Sequence, residues 1–306
     1  MHRKLFLLFL GLVGCGARDD EGSSTVSEGE LTARHEDIFS VLSARDLEKW
    51  IPARRALARG LVKHCAATDC AGLKDVASVE LECAATSSRK QVRSCAWVVG
   101  GSANVVDAAT GEPRGEARAF TCNVALSSTA HALVTALADA GEEAFEAPVV
   151  TGGSFRTTLD ACFAAQPRPA APLATTGDFA ALDDVLAGAD AARWKATKAK
   201  LPKAFDDVCG DTFCEGEYED ISALGLSCAT NRRTGMVTTC SWSFAFANTE
   251  VTEDGTVGAE TQTKRCAIPI AAPAADLVTA LDGDDPLHAA LPGKTTSLLD
   301  ALIDCL

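Results

Sequence analysis

The sequence predicts an α+β protein built by tandem duplication of a disulfide-rich α-β-β-β-α-α domain, each copy a small antiparallel sheet with helices on one face. Three observations predict it. Cys65, Cys70, Cys83, Cys95, Cys122 and Cys162 are separated by 5, 13, 12, 27 and 40 residues, and Cys209, Cys214, Cys228, Cys240, Cys266 and Cys305 by 5, 14, 12, 26 and 39. Trp50 and Trp194 each stand fifteen residues before the first cysteine of their set. The run Leu-Val-Thr-Ala-Leu occurs at 133–137 and again at 277–281, eleven residues past Cys122 and Cys266. These repeats divide the chain into residues 1–14, an export signal; 15–37, an anchor and flexible tether; 38–165, the first repeat; 166–177, a Pro/Ala linker; and 178–306, the second repeat.

At the N-terminus Arg3 and Lys4 precede the apolar run Leu5–Val13. That run is too short to cross a hydrocarbon core of about 30 Å as a helix and has the length of a signal-peptide core. It ends in Leu12-Val13-Gly14-Cys15, which resembles a bacterial lipobox. The resemblance covers the export signal alone, and it implies cleavage before Cys15 and acylation of that cysteine. Two or three acyl chains, each methylene contributing about 0.8 kcal/mol, would then hold the chain on a membrane. Gly16, where some inner-membrane lipoproteins carry Asp, tilts the expected address toward the outer membrane, facing the periplasm or the cell surface. Of thirteen cysteines one is the anchor, and twelve remain for disulfides in an oxidising compartment.

Residues 16–37 are rich in Gly, Ser, Thr and acid, and read as a tether. Trp50, Leu57 and Leu61, matched by Trp194, Leu201 and Phe205, lie on one face of a 3.6-residue helix. Pro202 predicts a kink or an early end to the second of these helices. Val79, Leu81 and Cys83 alternate with Glu80 and Glu82, as Leu224, Leu226 and Cys228 alternate with their neighbours, so each strand has one buried and one wet face. Polar turns at 87–90 and 231–235 join these to strands carrying Cys95 and Trp97 or Cys240 and Trp242. Gly111 and Gly255 suit turns that need φ > 0 before a third strand through Cys122 or Cys266. Closing helices are expected at Thr157–Phe163 and Thr295–Leu306. Six cysteines allow fifteen connectivities; the hairpins suggest Cys83 with Cys95 and Cys228 with Cys240.

Charge narrows function. Residues 38–168 hold 14 basic and 14 acidic residues, and residues 177–306 hold 10 and 21, an excess of 21 − 10 = 11 negative charges in the second repeat. Nucleic acid is excluded as an expected partner, because it selects basic faces. Residues kept in both copies are Cys, Trp, Leu and Gly, all explained by packing, crosslinking and turns. Polar matches are few: Glu116 with Glu260, Asp75 with Glu219, Lys49 with Arg193. No Gly-x-Ser-x-Gly, His-Glu-x-x-His, P-loop or calcium-loop signature occurs. No catalytic residue is assigned, and no cofactor beyond a weak Ca²⁺ site. Asp206, Asp207, Asp211, Glu215, Glu217, Glu219 and Asp220 crowd the second Cys-x4-Cys, an oxygen-rich loop of the kind that binds Ca²⁺ weakly; a solvated acidic loop is the plainer reading. In outline alone, tandem α+β repeats with disulfides resemble the beta-lactamase inhibitory proteins.

The expected function is a lipid-anchored envelope protein acting as a non-enzymatic binding module for an envelope partner. An envelope hydrolase with its site between the repeats is the alternative. A cluster of His, Asp and Ser or Glu in that cleft favours the hydrolase; a lining of Ala and Leu favours the binding module. The small strand faces, Ser94 and Ala96 in one copy and Ser241, Ser243, Ala245 and Ala247 in the other, are free either to pack the repeats together or to take a partner strand.

Overall fold

In a computed structural model of the chain, alternation of apolar and polar side chains drives two four-stranded antiparallel sheets, each closed on one side by helices. The structure describes residues 34–168, 176–208, 218–303 and 305–306. The export signal, Cys15, the centre of the linker, and Cys209 and Cys214 lie outside them. The first half runs β1 (His35–Asp37), α1 (Ile38–Val41), α2 (Ala44–Ala67), β2 (Ala77–Thr86), β3 (Gln91–Val106), β4 (Pro113–Thr129), α3 (Ala130–Ala140) and α4 (Phe155–Ala165). The second runs β5 (Phe179–Ala181), α5 (Leu182–Val185), α6 (Gly188–Val208), β6 (Asp220–Asn231), β7 (Met236–Val251), β8 (Val257–Pro273), α7 (Ala274–Leu281) and α8 (Leu298–Ile303). Strand order is β1-β2-β3-β4 and β5-β6-β7-β8.

Each sheet thus has a fourth strand at its edge, of three residues, too short to show a period in sequence. β1 takes the last residues of the stretch read as tether. α6 continues past Pro202 to Val208, and α2 likewise passes through Pro52, so neither proline ends its helix. α8 is shorter than expected, beginning at Leu298. The side-chain hydroxyl of Ser43 caps α2 by accepting from the Asp46 amide at 3.2 Å, and Ser154 with Thr157 forms a capping box at α4.

The apolar stripe of α2, with Trp50, Leu57 and Leu61 fully buried, covers the face of the first sheet that carries Leu81, Cys83, Cys95, Trp97 and Cys122. Trp97 stands edge-on to Phe145 and Phe155, with centroids 6.1 and 5.6 Å away. In the second half Trp194, Leu201 and Phe205 cover Cys228, Cys240, Trp242 and Cys266. In both hairpins the cysteines are directly opposed, Cys83 with Cys95 and Cys228 with Cys240, and each pair is a disulfide. Cys122–Cys162 and Cys266–Cys305 tie the third long strand to the closing helix, and Cys65–Cys70 tucks the chain under the end of α2.

The faces turned away from the helices pack on one another. Val79, Val98, Leu224, Ala245 and Ala247 form one shared cluster, and Ala84, Ala96 and Val257 a second. Small side chains let the strands approach: a Cβ on Gly100 would stand 2.6 Å from Cβ of Ala245. The contact is reciprocal. Gly111, at φ +72°, turns against the ring of Phe179, and Gly255, at φ +85°, against the ring of His35. Both pairs are offset by 144 residues, so each half offers the other the same turn and the same edge strand. Ser94 Oγ donates to the Gly255 carbonyl at 3.1 Å, and Asn104 Nδ2 to that of Gly225 at 2.9 Å.

Candidate functional site: an acidic cleft at the seam

Because β2 alternates strictly past its bulge at Val79, burying Leu81 and Cys83 against α2 turns Glu80 and Glu82 the other way. The sequence marked that face as wet. The structure covers it with the second half, leaving Glu80 only 8 % exposed. Arg54, on α2, reaches over the end of the core to Glu80 at 2.5 Å and lies 5.3 Å from the ring centroid of Phe39. Asp37 arrives from β1, where its carboxylate also caps α1 by accepting from the Phe39 amide at 2.9 Å. Asp220 arrives from the start of β6. These groups line an open cleft of about 850 Å³ whose other walls include His35, Ser40, Glu219, Thr249 and Glu250.

Asp37, Glu80, Glu82 and Asp220 thus gather around the Arg54 guanidinium, with Arg34 on the same cleft wall, and two of the four carboxyls have raised pKa values. Burial first, then the hydrogen bond to Asp37 and the charges of Asp37 and Glu80, push Glu82 up to about 9. Asp220 is pushed up to about 8 by burial and by Glu80 beside it.

A quasi-equivalent position lies across the seam. Gly225 and Asp75 there correspond to Glu80 and Asp220, and Lys198 to Arg54. Although Asp75 is exposed as a residue, its carboxylate tip turns inward to accept from Ser102 Oγ at 3.1 Å, and desolvation raises its pKa. With glycine in place of the second carboxylate, this side is a closed hydrogen-bonded network; the Glu80 side is a cleft. The asymmetry between the two ends of the seam therefore sits where Glu80 and Glu82 replace Gly225 and Ser227.

Asp206 lines a separate, mainly apolar groove of about 560 Å³ between α2 and α6, with Val62 and Phe205. Asp207 pairs with Lys203 at 2.6 Å. Glu219 and Asp220 face the acidic cleft, and Asp211, Glu215 and Glu217 lie outside the described residues. Among the described residues no group of three or more His, Cys, Asp or Glu is arranged to hold a metal ion. Three histidines gain acidic partners that spacing did not reveal: His64 with Asp160 at 2.6 Å, His131 with Asp46 at 2.9 Å and His288 with Asp285 at 2.9 Å. The first two join different helices, so only the tertiary fold brings them together. Ser43 also meets Asp46, yet its hydroxyl donates to the acid at 2.8 Å and not to the imidazole, the wrong order for an activated nucleophile.

Fold and site together define a disulfide-stapled α+β module with two sheets packed face to face and an acidic cleft at one end of the seam. Comparison with known proteins places it no nearer a relative: no family model, no curated protein and no solved structure matches the chain.

Proposed function

We propose that the chain is a lipid-anchored cell-envelope protein whose halves arose by tandem duplication of one α-β-β-β-α-α domain, and that it acts as a non-enzymatic binding module for an envelope partner. The observation that carries this reading is the fate of the small strand faces. Both are consumed in the seam, which makes the module one body and leaves the wide cleft at the Glu80 end as a concave polar surface to which both halves contribute. The pattern of five disulfides among the described cysteines supports an oxidising compartment.

Two measurements test it. Metabolic labelling with palmitate should mark the wild-type chain and not a Cys15→Ser variant. A photo-crosslinking residue at Ser40, exposed on the cleft, should capture an envelope protein that the same residue at Glu143, exposed elsewhere, does not. Equal capture from both positions would defeat the reading.

The hydrolase alternative draws on one specific observation. A carboxyl held protonated near an Arg-paired carboxylate is the division of labour used by acid–base glycoside cleavage. In this cleft the carboxylate that would act on the sugar, Glu80, is buried against Arg54, which favours a structural role for it. Release of sugar from an envelope glycan by the wild type, abolished in Glu82→Gln, would reverse that preference.

A further inference from the structure

The core stripe of α2 recurs in α6, and a second stripe beside it does not. Ile51, Ala58 and Val62 repeat at i, i+7 and i+11, about 100° around α2 from Trp50, Leu57 and Leu61. The matching positions of α6 are Lys195, Pro202 and Asp206. Among the described residues three large apolar side chains stand exposed, and Ile51 and Val62, at 43 % and 48 %, are two of them. Ala58 and Val62 line the groove of about 560 Å³ between α2 and α6, together with Pro202, Phe205 and Ile221. That groove adjoins the acidic cleft: Ala58 lies one helical turn, about 6 Å, beyond Arg54, and Ile221 follows Asp220 directly. On the reading of the chain as a binding module, we infer that groove and cleft form one trough that docks an apolar segment of a partner protein, the segment's flanking lysine or arginine seated in the cleft.

Charge decides what covers this surface. Around the groove the signs cancel: Arg59 pairs with Glu142 and Lys203 with Asp207, each at 2.6 Å, which leaves Lys63 and Asp206, one of each sign. The groove therefore takes apolar side chains and is indifferent to charge. The cleft is not. Seven carboxylic side chains and two guanidinium groups, those of Arg34 and Arg54, line it. With protons kept on Glu82 and Asp220, whose pKa values are raised to about 9 and about 8, 7 − 2 = 5 carboxylates still face two cations. Positive charge on the cleft end of a ligand is thus favoured. A second copy of this chain, at net charge −14, would bring like charge to the cleft. So would the chain's own residues 16–33, with five acids against Arg18, and so would an anionic lipid surface.

Fluorescein-labelled amphipathic peptides that share one leucine face and differ only in a flanking Lys-Lys, Ser-Ser or Glu-Glu pair test this by fluorescence polarisation on the full-length protein. The Lys-flanked peptide should bind at least tenfold more tightly than the Glu-flanked one. Ile51→Ser with Val62→Ser, both at exposed positions, should weaken it at least tenfold. Glu219→Lys with Glu250→Lys should reverse the order of the Lys- and Glu-flanked peptides. Asp276→Lys with Asp284→Lys, equal in charge and exposed outside the trough, should leave that order intact. Equal binding of the three peptides, no loss in the serine variant, or the same response to both charge pairs overturns the docking trough. In cells, a photo-crosslinking residue at Val62 identifies the occupant by the segment attached to it. An apolar segment of another protein, flanked by Lys or Arg, is expected; a phospholipid adduct or a second copy overturns the trough. Capture at Ser40 without capture at Val62 removes this surface and leaves the binding module standing, whereas capture at neither removes both.

Discussion

At Gly225 the backbone of one half meets the polar network of the other. A methyl group there would collide with the Asp75 carboxylate and the Asn104 amide, and would come within 2.6 Å of Ser102 Oγ. None of these can retreat without breaking the bonds Asn104 makes to the Gly225 carbonyl and Ser102 to Asp75. Gly225→Ala should therefore destabilise by about 1–3 kcal/mol. Gly258→Ala, whose new methyl would meet only the Glu250 carbonyl at 3.8 Å, should change stability by about 0.5 kcal/mol or less. Urea melts of the two variants check both. Carboxylates set the acid limit: Asp46, held down by Ser43 and His131, and Asp107, held down by the amides of Thr110 and Ala109, have lowered pKa values. Their contribution is present above the unfolded value and lost as pH falls through the folded one, so melting temperature should drop below about pH 4. Glu82 works with the opposite sign: its raised pKa favours the fold fully below about 4.5, and that contribution is lost as pH rises toward about 9. A melting-temperature profile should accordingly peak on the mildly acid side of neutrality, and Glu82→Gln should lift only its alkaline limb.

Among the elements, the disulfides differ in what they restrain. Cys65–Cys70 closes a separation of 5 residues, whereas Cys122–Cys162 closes 40 and carries α4 back onto β4. In the chain-entropy account the restraint on the unfolded state grows as 1.5RT times the logarithm of loop length, which makes the longer bridge worth about 2 kcal/mol more. Paired Cys→Ser replacement should follow that order in urea melts, C122S/C162S losing more than C65S/C70S. These elements were legible because their signals are local: period two places Cys83 and Cys95 on one face, and a Trp-led stripe of period 3.6 gives α2 and α6. β1 and β5, at three residues each, carry no period. Glu80 and Glu82 sit on the face that alternation marks as wet, yet Glu80 is buried there, since alternation separates polar from apolar faces and does not say what covers the polar one. The signal available was in the other copy, where Gly225 and Ser227 replace them opposite a run of Ser and Ala on β7.

On the scale of the whole molecule, two cores share one seam. Each half buries its own Trp-centred cluster, and the shared layer adds apolar clusters from both sheets together with reciprocal hydrogen bonds. Were the seam weak, each half would unfold at its own denaturant midpoint, because their cores have no side chain in common. A seam built from Val, Leu and Ala, with two turns locked onto the opposite edge strands, makes separation expose apolar strand faces that neither half covers alone. Unfolding should therefore be a single cooperative transition. The four tryptophans allow this to be read separately: Trp50 and Trp97 report the first half, Trp194 and Trp242 the second. In a W194F/W242F protein and a W50F/W97F protein, urea transitions followed by fluorescence should share one midpoint once each is referred to its own circular-dichroism transition. Gly100→Val places its branch against Ala245 Cβ, where even a Cβ would stand at 2.6 Å, and wedges the sheets apart while leaving both helix-covered cores intact. Introduced into both reporter backgrounds, it should split the transition in two. Separate midpoints before that substitution would mean that the halves are independent domains lying side by side.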